Sequence, residues 1–164
     1  MTAKEGKCMK KVMFISSTGG HLSELLQLEP LFYEYDYFII TEKTKSTESM
    51  KKKYGDRIRY LVYGTKSHLF SYIFKFSYNI IKSVMYMLQL RPDVVVTTGT
   101  HTAVPMCYIA KLFGKKVIFI ETFANSKTKT MAGKMIYPIA DVFIVQWEEM
   151  LKLYPKAIYG GWIY

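Results

Sequence analysis

Cysteine and acidic side chains are both scarce in this sequence of 164 residues. Its two cysteines, Cys8 and Cys107, lie far apart, and no C-x-x-C pair or other metal-ligand spacing occurs. This pattern excludes a disulfide framework and favours a metal-free protein of a reducing compartment. Thirteen aspartates and glutamates oppose twenty-three lysines and arginines, which leaves a net charge of +10. Such an excess favours an anionic partner, which could be nucleic acid, an anionic membrane surface or a phosphorylated ligand.

Several other sequence features are missing as well. There is no internal repeat, no low-complexity tract and no basic-aromatic motif of the known nucleic-acid-binding types, so we expect no nucleic-acid partner. The polar first residues resemble neither a signal peptide nor a transmembrane segment, and 1–10 is predicted to be disordered. Half of the residues are apolar, enough for one core, so a single domain is expected over 11–156, followed by a tail at 157–164.

Strand and helix patterns alternate along most of the chain. Strands are predicted at 11–16, 37–41, 57–62, 93–98, 116–120 and 142–145, and helices at 21–28, 67–90, 103–113 and 130–137. Pro30 is expected to end the first helix, and the polar segment 44–53 has room for a short one. This alternation predicts an α/β fold, a doubly wound parallel sheet of the Rossmann-like kind with helices on both faces.

Two short glycine turns, Thr18-Gly19-Gly20-His21 and Thr98-Gly99-Thr100-His101, each join a predicted strand to a predicted helix. Glycine lets backbone N–H groups approach a phosphate, a helix N-terminus favours negative charge, and histidine titrates near neutrality. A tight turn without a ligand is the alternative for each. Neither turn has the G-x-G-x-x-G of dinucleotide folds or the Gly-Lys-Ser/Thr ending of a P-loop, which argues against a bound nucleotide.

Glu121 directly follows the predicted strand 116–120. In parallel α/β sheets ligands bind beyond the carboxyl ends of the strands, so we expect Glu121 near both glycine turns. It is then either a solvated carboxylate or helix cap, or a functional group that acts as a general base or orients a histidine. The neighbouring turns favour the functional interpretation. His68 has no comparable context and is expected to be an ordinary polar residue.

The long predicted helix is apolar almost all round, apart from a narrow polar stripe that contains lysines. A fully buried helix is one interpretation, and an element that lies in a membrane interface or meets a partner is the other. Lysines interrupt it too often for a membrane span. The residues expected to meet lipid are Phe70, Ile73, Phe74, Lys75, Ile81 and Lys82. The basic run at 43–53 would add attraction to an anionic membrane surface, with a solvated loop as the alternative.

Four blocks of the sequence occur together in a known family: ISSTGGHL at 15–22, VTTG at 96–99, ETFA at 121–124 and YPIADVFIVQW at 137–147. They resemble the oligosaccharide-biosynthesis accessory-subunit family. Its eukaryotic member anchors the catalytic subunit of the dolichyl-diphosphate N-acetylglucosaminyltransferase at the membrane, and its bacterial members enhance partner glycosyltransferases of capsular and exopolysaccharide synthesis. The resemblance implies a fold equivalent to the N-terminal, acceptor-binding half of a two-domain GT-B glycosyltransferase.

The same resemblance implies roles for the residues of the two turns. The acceptor diphosphate would be held by the first turn and the second, at Thr18, Gly19, Gly20, Thr98, Gly99 and Thr100. His21 would be the catalytic base, and Glu121 would orient it or serve as an alternative base. A GT-B enzyme of this kind is the bacterial transferase that completes the peptidoglycan lipid intermediate, and this chain differs from it in two places. Its loop at the position of the second glycine turn is richer in glycine, and its loop that begins at the counterpart of Glu121 has asparagine where this chain has Phe123.

A GT-B enzyme needs two such domains, so the half that binds the UDP-sugar is expected on a small catalytic partner subunit, with no cofactor on this chain. The tail residues Trp162, Ile163 and Tyr164 are candidates for docking that partner, unless the tail pairs as a last strand. The implied function is an accessory subunit of an inverting glycosyltransferase that extends a polyprenyl-diphosphate-linked sugar, peripheral on the cytoplasmic face of the plasma membrane. A purely non-catalytic membrane scaffold is the alternative.

Overall fold

A computed structural model of the chain describes residues 9–64 and 69–164, with only the backbone given at 69–73. The predictions for 1–8, for His68 and for the side chains of Phe70 and Ile73 lie outside the described residues. Within them the strands are β1 (Lys11–Ser16), β2 (Asp36–Lys43), β3 (Ile58–Val62), β4 (Val94–Gly99), β5 (Lys116–Ile120), β6 (Val142–Val145) and β7 (Ile158–Tyr159). The helices are α1 (Gly20–Gln27), α2 (Glu29–Phe32), α3 (Lys45–Glu48), α4 (Met50–Tyr54), α5 (Leu69–Leu90), α6 (Val104–Leu112) and α7 (Met131–Ile136).

The strands form one sheet in the order β3-β2-β1-β4-β5-β6-β7, and each neighbouring pair is parallel. β1, β5 and β6 have the predicted bounds, and the other predicted strands differ by one or two residues at an end. The chain leaves β1 toward one edge of the sheet and returns at β4 to build the other half. The predicted doubly wound parallel sheet is confirmed.

Side chains of β1 alternate between two apolar cores. Val12 and Phe14 pack on one face with residues of α1 and α2, whereas Met13 and Ile15 pack on the other with residues of α5, α6 and α7. All four side chains are almost completely buried. A strand covered on both faces has a continuous apolar sequence, which is why the run at 11–16 was a clear signal.

Pro30 opens a helix instead of only ending one. α1 ends at Gln27, within one residue of its predicted end, and Pro30 lies in the first turn of α2. The first N–H groups of a helix have no intrahelical acceptor, so a proline there removes no hydrogen bond.

Polar side chains of α5 cover the edge strand β3. The Asn79 side chain both donates to the carbonyl oxygen of Val62 and accepts from its N–H, each at 2.8 Å. Lys82 Nζ and Tyr86 Oη both donate to the carbonyl oxygen of Tyr60, at 2.8 and 3.0 Å. These bonds satisfy backbone groups that an edge strand otherwise presents to solvent. Part of the polar stripe therefore faces the sheet edge.

Large apolar side chains of α5 face outward. Phe74 is 75% exposed and Ile81 60% exposed, and the same helix face continues at spacings of three and four residues. We call this face the apolar row; it consists of Phe74, Tyr78, Ile81, Met85 and Leu88. The interpretation of α5 as a fully buried helix is therefore wrong. Within the described residues, no helix combines the length and the hydropathy needed to cross a membrane.

The segment predicted as a C-terminal tail contains β7. Ile158 pairs with Ile144 and Tyr159 with Val145, and the Gly160 N–H donates to the Val145 carbonyl oxygen at 2.9 Å. The alternative of a last strand thus holds for Ile158–Tyr159, and the three predicted docking residues follow that strand.

Candidate functional site

The sheet order places β1 beside β4, and the connections from these two strands diverge to opposite halves of the sheet. Ligands of open parallel sheets bind at this switch point, outside the carboxyl ends of the strands. A cavity of about 260 Å³ lies there. The sequence-predicted residues that line it are His21, Thr98, Gly99, Thr100 and Glu121, joined by His101, Val104, Thr122, Thr130 and Met131.

The first glycine turn brings the chain into α1. Gly19 has φ 84°, a left-handed conformation that favours glycine, and it precedes the first helical residue. The first N–H groups of α1 have no intrahelical acceptor and point out of the helix N-terminus. Gly19 and Gly20 are exposed at this point. The start of α1 therefore has exposed backbone groups of the kind that anions meet at helix N-termini.

Thr18 has a different position from the one the sequence suggested. Its N–H and hydroxyl both donate to Glu42 Oε2, at 3.2 and 3.1 Å, and it does not line the cavity. Glu42, at the end of β2, is only 2% exposed and accepts a third bond at Oε1 from the Thr102 hydroxyl, at 2.7 Å. One buried carboxylate therefore fixes the first turn to the segment after the second turn.

The second turn packs directly against the first. Gly99 has φ 105°, and a Cβ at this position would lie 3.5 Å from Cε1 and Nδ1 of His21. The Ser17 N–H donates to the Gly99 carbonyl oxygen at 3.2 Å, and the Thr100 hydroxyl donates to Ser17 Oγ at 2.9 Å. The positive φ is therefore what favours glycine at 99, since a Cβ there would be in ordinary contact with the histidine ring.

His21 is held by the second turn at two points. Its Nδ1 lies 2.9 Å from the Thr98 carbonyl oxygen, and the Thr98 hydroxyl donates to the His21 carbonyl oxygen at 2.8 Å. A carbonyl oxygen only accepts, so Nδ1 carries a hydrogen and the lone pair of the neutral ring is on Nε2. The side chain is 26% exposed and lines the cavity. The ring is therefore positioned with its basic atom defined.

Glu24, which the sequence analysis did not select, lies behind His21. Its Oε2 is 3.5 Å from His21 Nδ1, and its Oε1 accepts from the Thr122 hydroxyl at 2.6 Å and from the Phe123 N–H at 3.1 Å. The interaction with Glu24 raises the pKa of His21, against a smaller lowering by burial. Burial alone would raise the pKa of Glu24, but His21 and Thr122 together hold it below its usual value. The spacing of three residues on a helix was the available signal.

Glu121 is 2% exposed and lies at the base of the cavity. The Thr130 hydroxyl lies 2.9 and 3.0 Å from its two oxygens, the Tyr154 hydroxyl donates to Oε2 at 3.0 Å, and the Thr122 N–H donates to Oε1 at 3.1 Å. Burial raises the pKa of Glu121, and these hydrogen bonds oppose the rise. The interpretation as a solvated carboxylate is therefore wrong, and the carboxylate joins β5 to the start of α7.

The predicted docking residues differ in exposure. Trp162 is 77% exposed and stacks on Phe123, with ring centroids 5.4 Å apart. Ile163 and Tyr164 are partly buried against the core on the α1 side of the sheet. The Ile163 N–H donates to Gln146 Oε1 at 3.2 Å, and Gln146 Nε2 donates to the Glu121 carbonyl oxygen at 3.0 Å. Trp162 is thus the member of the three that presents a large surface to a partner.

Sheet order, switch-point cleft and parallel pairing define the class of protein. The chain has a Rossmann-like α/β fold with one parallel sheet, and solved structures have the same fold. Acinetobacter baumannii MurG matches 85% of this chain with a TM-score of 0.69 at 20% identity, and the S. aureus MnaA-UDP co-structure matches 93% with a TM-score of 0.70 at 16% identity. This chain spans 42% and 43% of those two chains.

Sequence comparison gives the family. A family model described as "Oligosaccharide biosynthesis protein Alg14 like" matches residues 12–163, and the chain belongs to this family. The mouse (Mus musculus) "UDP-N-acetylglucosamine transferase subunit ALG14" is 28% identical over 92% of this chain and 82% of its own length. The Schizosaccharomyces pombe subunit of the same name is 25% identical over 98% of this chain and 86% of its own. The resemblance found in the sequence is thereby confirmed.

Proposed function

We propose that this chain is the acceptor-binding and membrane-recruiting subunit of a two-subunit inverting glycosyltransferase. Its relatives are named as subunits of a UDP-N-acetylglucosamine transferase, and its fold equals one half of a GT-B protein. The partner subunit would bind the UDP-sugar, and this chain would bind a polyprenyl-diphosphate-linked saccharide. The pathway we propose is bacterial capsular or exopolysaccharide synthesis, on the cytoplasmic face of the plasma membrane.

The acceptor diphosphate would lie at the start of α1. Gly19 precedes α1, and Gly20 and His21 are its first residues, whose N–H groups have no intrahelical acceptor; the helix dipole favours negative charge there. Gly99 and Thr100 line the switch-point cavity, and Gly99 lies beside the His21 ring. Thr18 would act indirectly, because its hydroxyl is bonded to Glu42. The diphosphate-binding role therefore rests mainly on the backbone of the first turn and on the second turn.

The observation that carries the catalytic part is the orientation of His21. With Nδ1 donating to Thr98, Nε2 is the atom that can accept the proton of an acceptor hydroxyl. The hydroxyl oxygen would form a bond to the anomeric carbon on the face opposite UDP while the bond to UDP breaks and UDP leaves with the electron pair. Inversion follows, and the proton ends on His21. Glu121 would position the loop beside this histidine, since its own oxygens are occupied by Thr130 and Tyr154.

Membrane recruitment would use the outer face of α5. The apolar row is exposed over four turns, and α5 contains no aspartate or glutamate. Of the predicted lipid-contacting residues, Phe74 and Ile81 belong to this row, and Lys75 and Lys82 lie beside it, half-buried. Helices with one apolar face and flanking lysines bind at the boundary between headgroups and acyl chains.

Partner docking would use Trp162. It stacks on Phe123, which also packs on Trp147 at 4.6 Å, so three aromatic rings form a continuous surface beside the cavity. Exposed tryptophan is enriched among residues that dominate binding energy. Trp162→Ala should weaken binding of the partner about tenfold or more. Surface plasmon resonance with the immobilised partner measures this effect, and Met131→Ala, another exposed apolar residue, is the matched control.

The catalytic assignment is tested in the reconstituted pair. The chain is co-purified with the proposed UDP-sugar-binding partner subunit, and transfer from a panel of UDP-sugars to polyprenyl-diphosphate-linked saccharides is measured. His21→Ala should reduce turnover about a hundredfold or more, while partner binding stays intact. His101→Ala changes a histidine of the same cavity and should have a much smaller effect.

Two outcomes would contradict the assignment. Unchanged turnover of the His21→Ala pair with intact partner binding would leave the chain as a non-catalytic scaffold. Sugar transfer by the isolated chain would contradict the division into two subunits.

A further inference from the structure

A second cavity lies away from the switch point. It has a volume of about 540 Å³ and lies at the β3 edge of the sheet, between the segment that contains α3 and α4 and the long helix α5. Four cationic side chains line it, together with one carboxylate and two tyrosines. The cations are Lys43, Lys51, Arg59 and Lys82. We call this cavity the basic pocket.

The positive charge of the basic pocket is only weakly neutralised. Its single lining carboxylate, Glu48, lies 3.6 Å from Lys43, and both side chains are more than half exposed. Lys51 pairs at 2.7 Å with Asp56, which is almost fully exposed and does not line the pocket. Exposed pairs of this kind contribute little and are readily exchanged for another anion.

Two of the cations are held in fixed positions by the β3 edge. Lys82 Nζ donates to the Tyr60 carbonyl oxygen and lies over the Tyr78 and Tyr86 rings, 5.7 and 5.8 Å from their centroids. Arg59 Nη1 donates to the Ile58 carbonyl oxygen at 3.0 Å. Each of these side chains has further N–H donors beyond those used for the backbone. The pocket therefore combines ordered donors with exposed lysines.

The basic pocket borders the apolar row. Lys82 lines the pocket from α5, and its Nζ lies 5.7 Å from the ring centroid of Tyr78, a member of the row. When the apolar row lies among the acyl chains of a membrane, the basic pocket lies at the level of the lipid headgroups. The cationic side chains of the pocket would favour an anionic group at the headgroup level.

We propose that the basic pocket binds the phosphate of an anionic phospholipid headgroup. This site is separate from the diphosphate-binding cleft, and it rests on the membrane role proposed for α5. Headgroup binding at the β3 edge and insertion of the apolar row would together fix how the chain lies on the membrane. The switch-point cleft would then be held at a constant distance from the lipid that carries the acceptor.

Binding to vesicles tests the proposal with the isolated chain. Phosphatidylcholine vesicles with and without phosphatidylglycerol are compared by co-sedimentation. The double variant Lys43→Gln/Lys51→Gln should bind the phosphatidylglycerol vesicles about thirtyfold more weakly than the unchanged chain. Lys45→Gln/Lys52→Gln is the matched control: it removes the same charge from the same stretch of the chain, 43–52, but neither lysine lines the pocket. It should lose no more than about threefold.

Equal losses in the two double variants would overturn the proposal, because they would show a diffuse charge effect. The variant Ile81→Ser/Leu88→Ser separates this failure from that of the membrane role. If it abolishes vesicle binding while the pocket variant behaves like its control, α5 binds membranes without a headgroup pocket. If it leaves vesicle binding unchanged, the proposed membrane role fails too.

Nuclear magnetic resonance distinguishes a lipid headgroup from a free phosphate. Monomeric dihexanoyl phosphatidylglycerol should shift the ring resonances of Tyr60 and Tyr86, and Lys43→Gln/Lys51→Gln should remove these shifts. Inorganic phosphate should produce the same shifts only at higher concentration, since it lacks the acyl chains that contact the apolar row. Tighter binding of inorganic phosphate than of the lipid would overturn the lipid assignment.

Discussion

The switch-point cleft and the outer face of α5 distribute polar and apolar side chains in opposite ways. Around the cleft, the carboxylates of Glu42 and Glu121 are buried and each accepts hydrogen bonds from several donors. On α5, phenylalanine, isoleucine and leucine side chains are exposed. Buried carboxylates with several partners fix geometry, which chemistry requires, whereas exposed apolar area gains free energy only when something covers it. The cleft therefore keeps its side chains in fixed positions, whereas the outer face of α5 is suited to contact with a membrane or another apolar surface.

For the contrast between these two regions, the largest effect is expected from removing apolar area from α5. Ile81→Ser/Leu88→Ser should weaken binding to phosphatidylglycerol vesicles by at least about thirtyfold, because two large apolar side chains contribute roughly 2–4 kcal/mol when buried in lipid. Co-sedimentation measures the change. Leu112→Ser, an exposed leucine on α6 outside the apolar row, is the control and should have little effect. If the double variant still binds the vesicles as the unchanged chain does, the exposed apolar face of α5 is not a membrane-binding surface.

An intermediate effect, on stability, is expected when a side chain is added at Gly133, next to the buried Glu121 carboxylate. Gly133 lies in α7, and a Cβ there would collide with the Glu121 carboxylate and the Tyr154 hydroxyl. Gly133→Ala should lower the free energy of unfolding by about 1–3 kcal/mol, measured by urea denaturation. Gly20→Ala is the matched control, because a Cβ at Gly20 meets no atom within 4 Å and alanine is the better helix former. Equal stability of the two variants would show that the cleft is less tightly packed than its contacts indicate.

The smallest expected effect concerns the pair of His21 and Glu24. Glu24→Gln removes the main cause of the raised pKa of His21, so that pKa should fall. A general base must be neutral, so the acid limb of the pH profile of transfer should move to lower pH. Titration of the His21 ring by NMR checks the pKa without the partner. An unchanged ring titration would show that the 3.5 Å contact is not an effective ion pair.

Stability should depend on pH through the same two groups. The folded-state pKa of His21 is raised and that of Glu24 is lowered. Their mutual stabilisation is therefore present between the ordinary values of 4.5 and 6.5, is lost above as His21 deprotonates, and is lost below as Glu24 protonates. The stability difference between the unchanged chain and Glu24→Gln should be largest in that window.

Most of the fold could be predicted because its strands are short apolar runs with clear ends. β1, β5 and β6 end where serine, glutamate or glutamine follows a run rich in valine, isoleucine and phenylalanine. The gathering of His21, Thr98, Gly99 and Glu121 could also be predicted, since parallel strands place their carboxyl ends at one edge. Local pattern and general topology were sufficient for these features.

Other features depend on contacts between distant parts of the chain. Glu24 meets Thr122 across 98 residues, and Glu42 meets Thr102 across 60. No local pattern marks such pairs. The orientation of α5 was hidden for the same reason, because its polar stripe bonds to the β3 edge and its apolar row faces outward. Composition alone could not show which face of that helix meets the sheet.

Gln146 has a consequence for how the subunits would communicate. One end of its amide bonds to the Glu121 carbonyl oxygen and the other to the Ile163 N–H next to Trp162. A partner seated on the tryptophan would therefore be two hydrogen bonds away from the loop that meets His21 through Glu24. Binding of the partner would then also position the loop that holds the acceptor site.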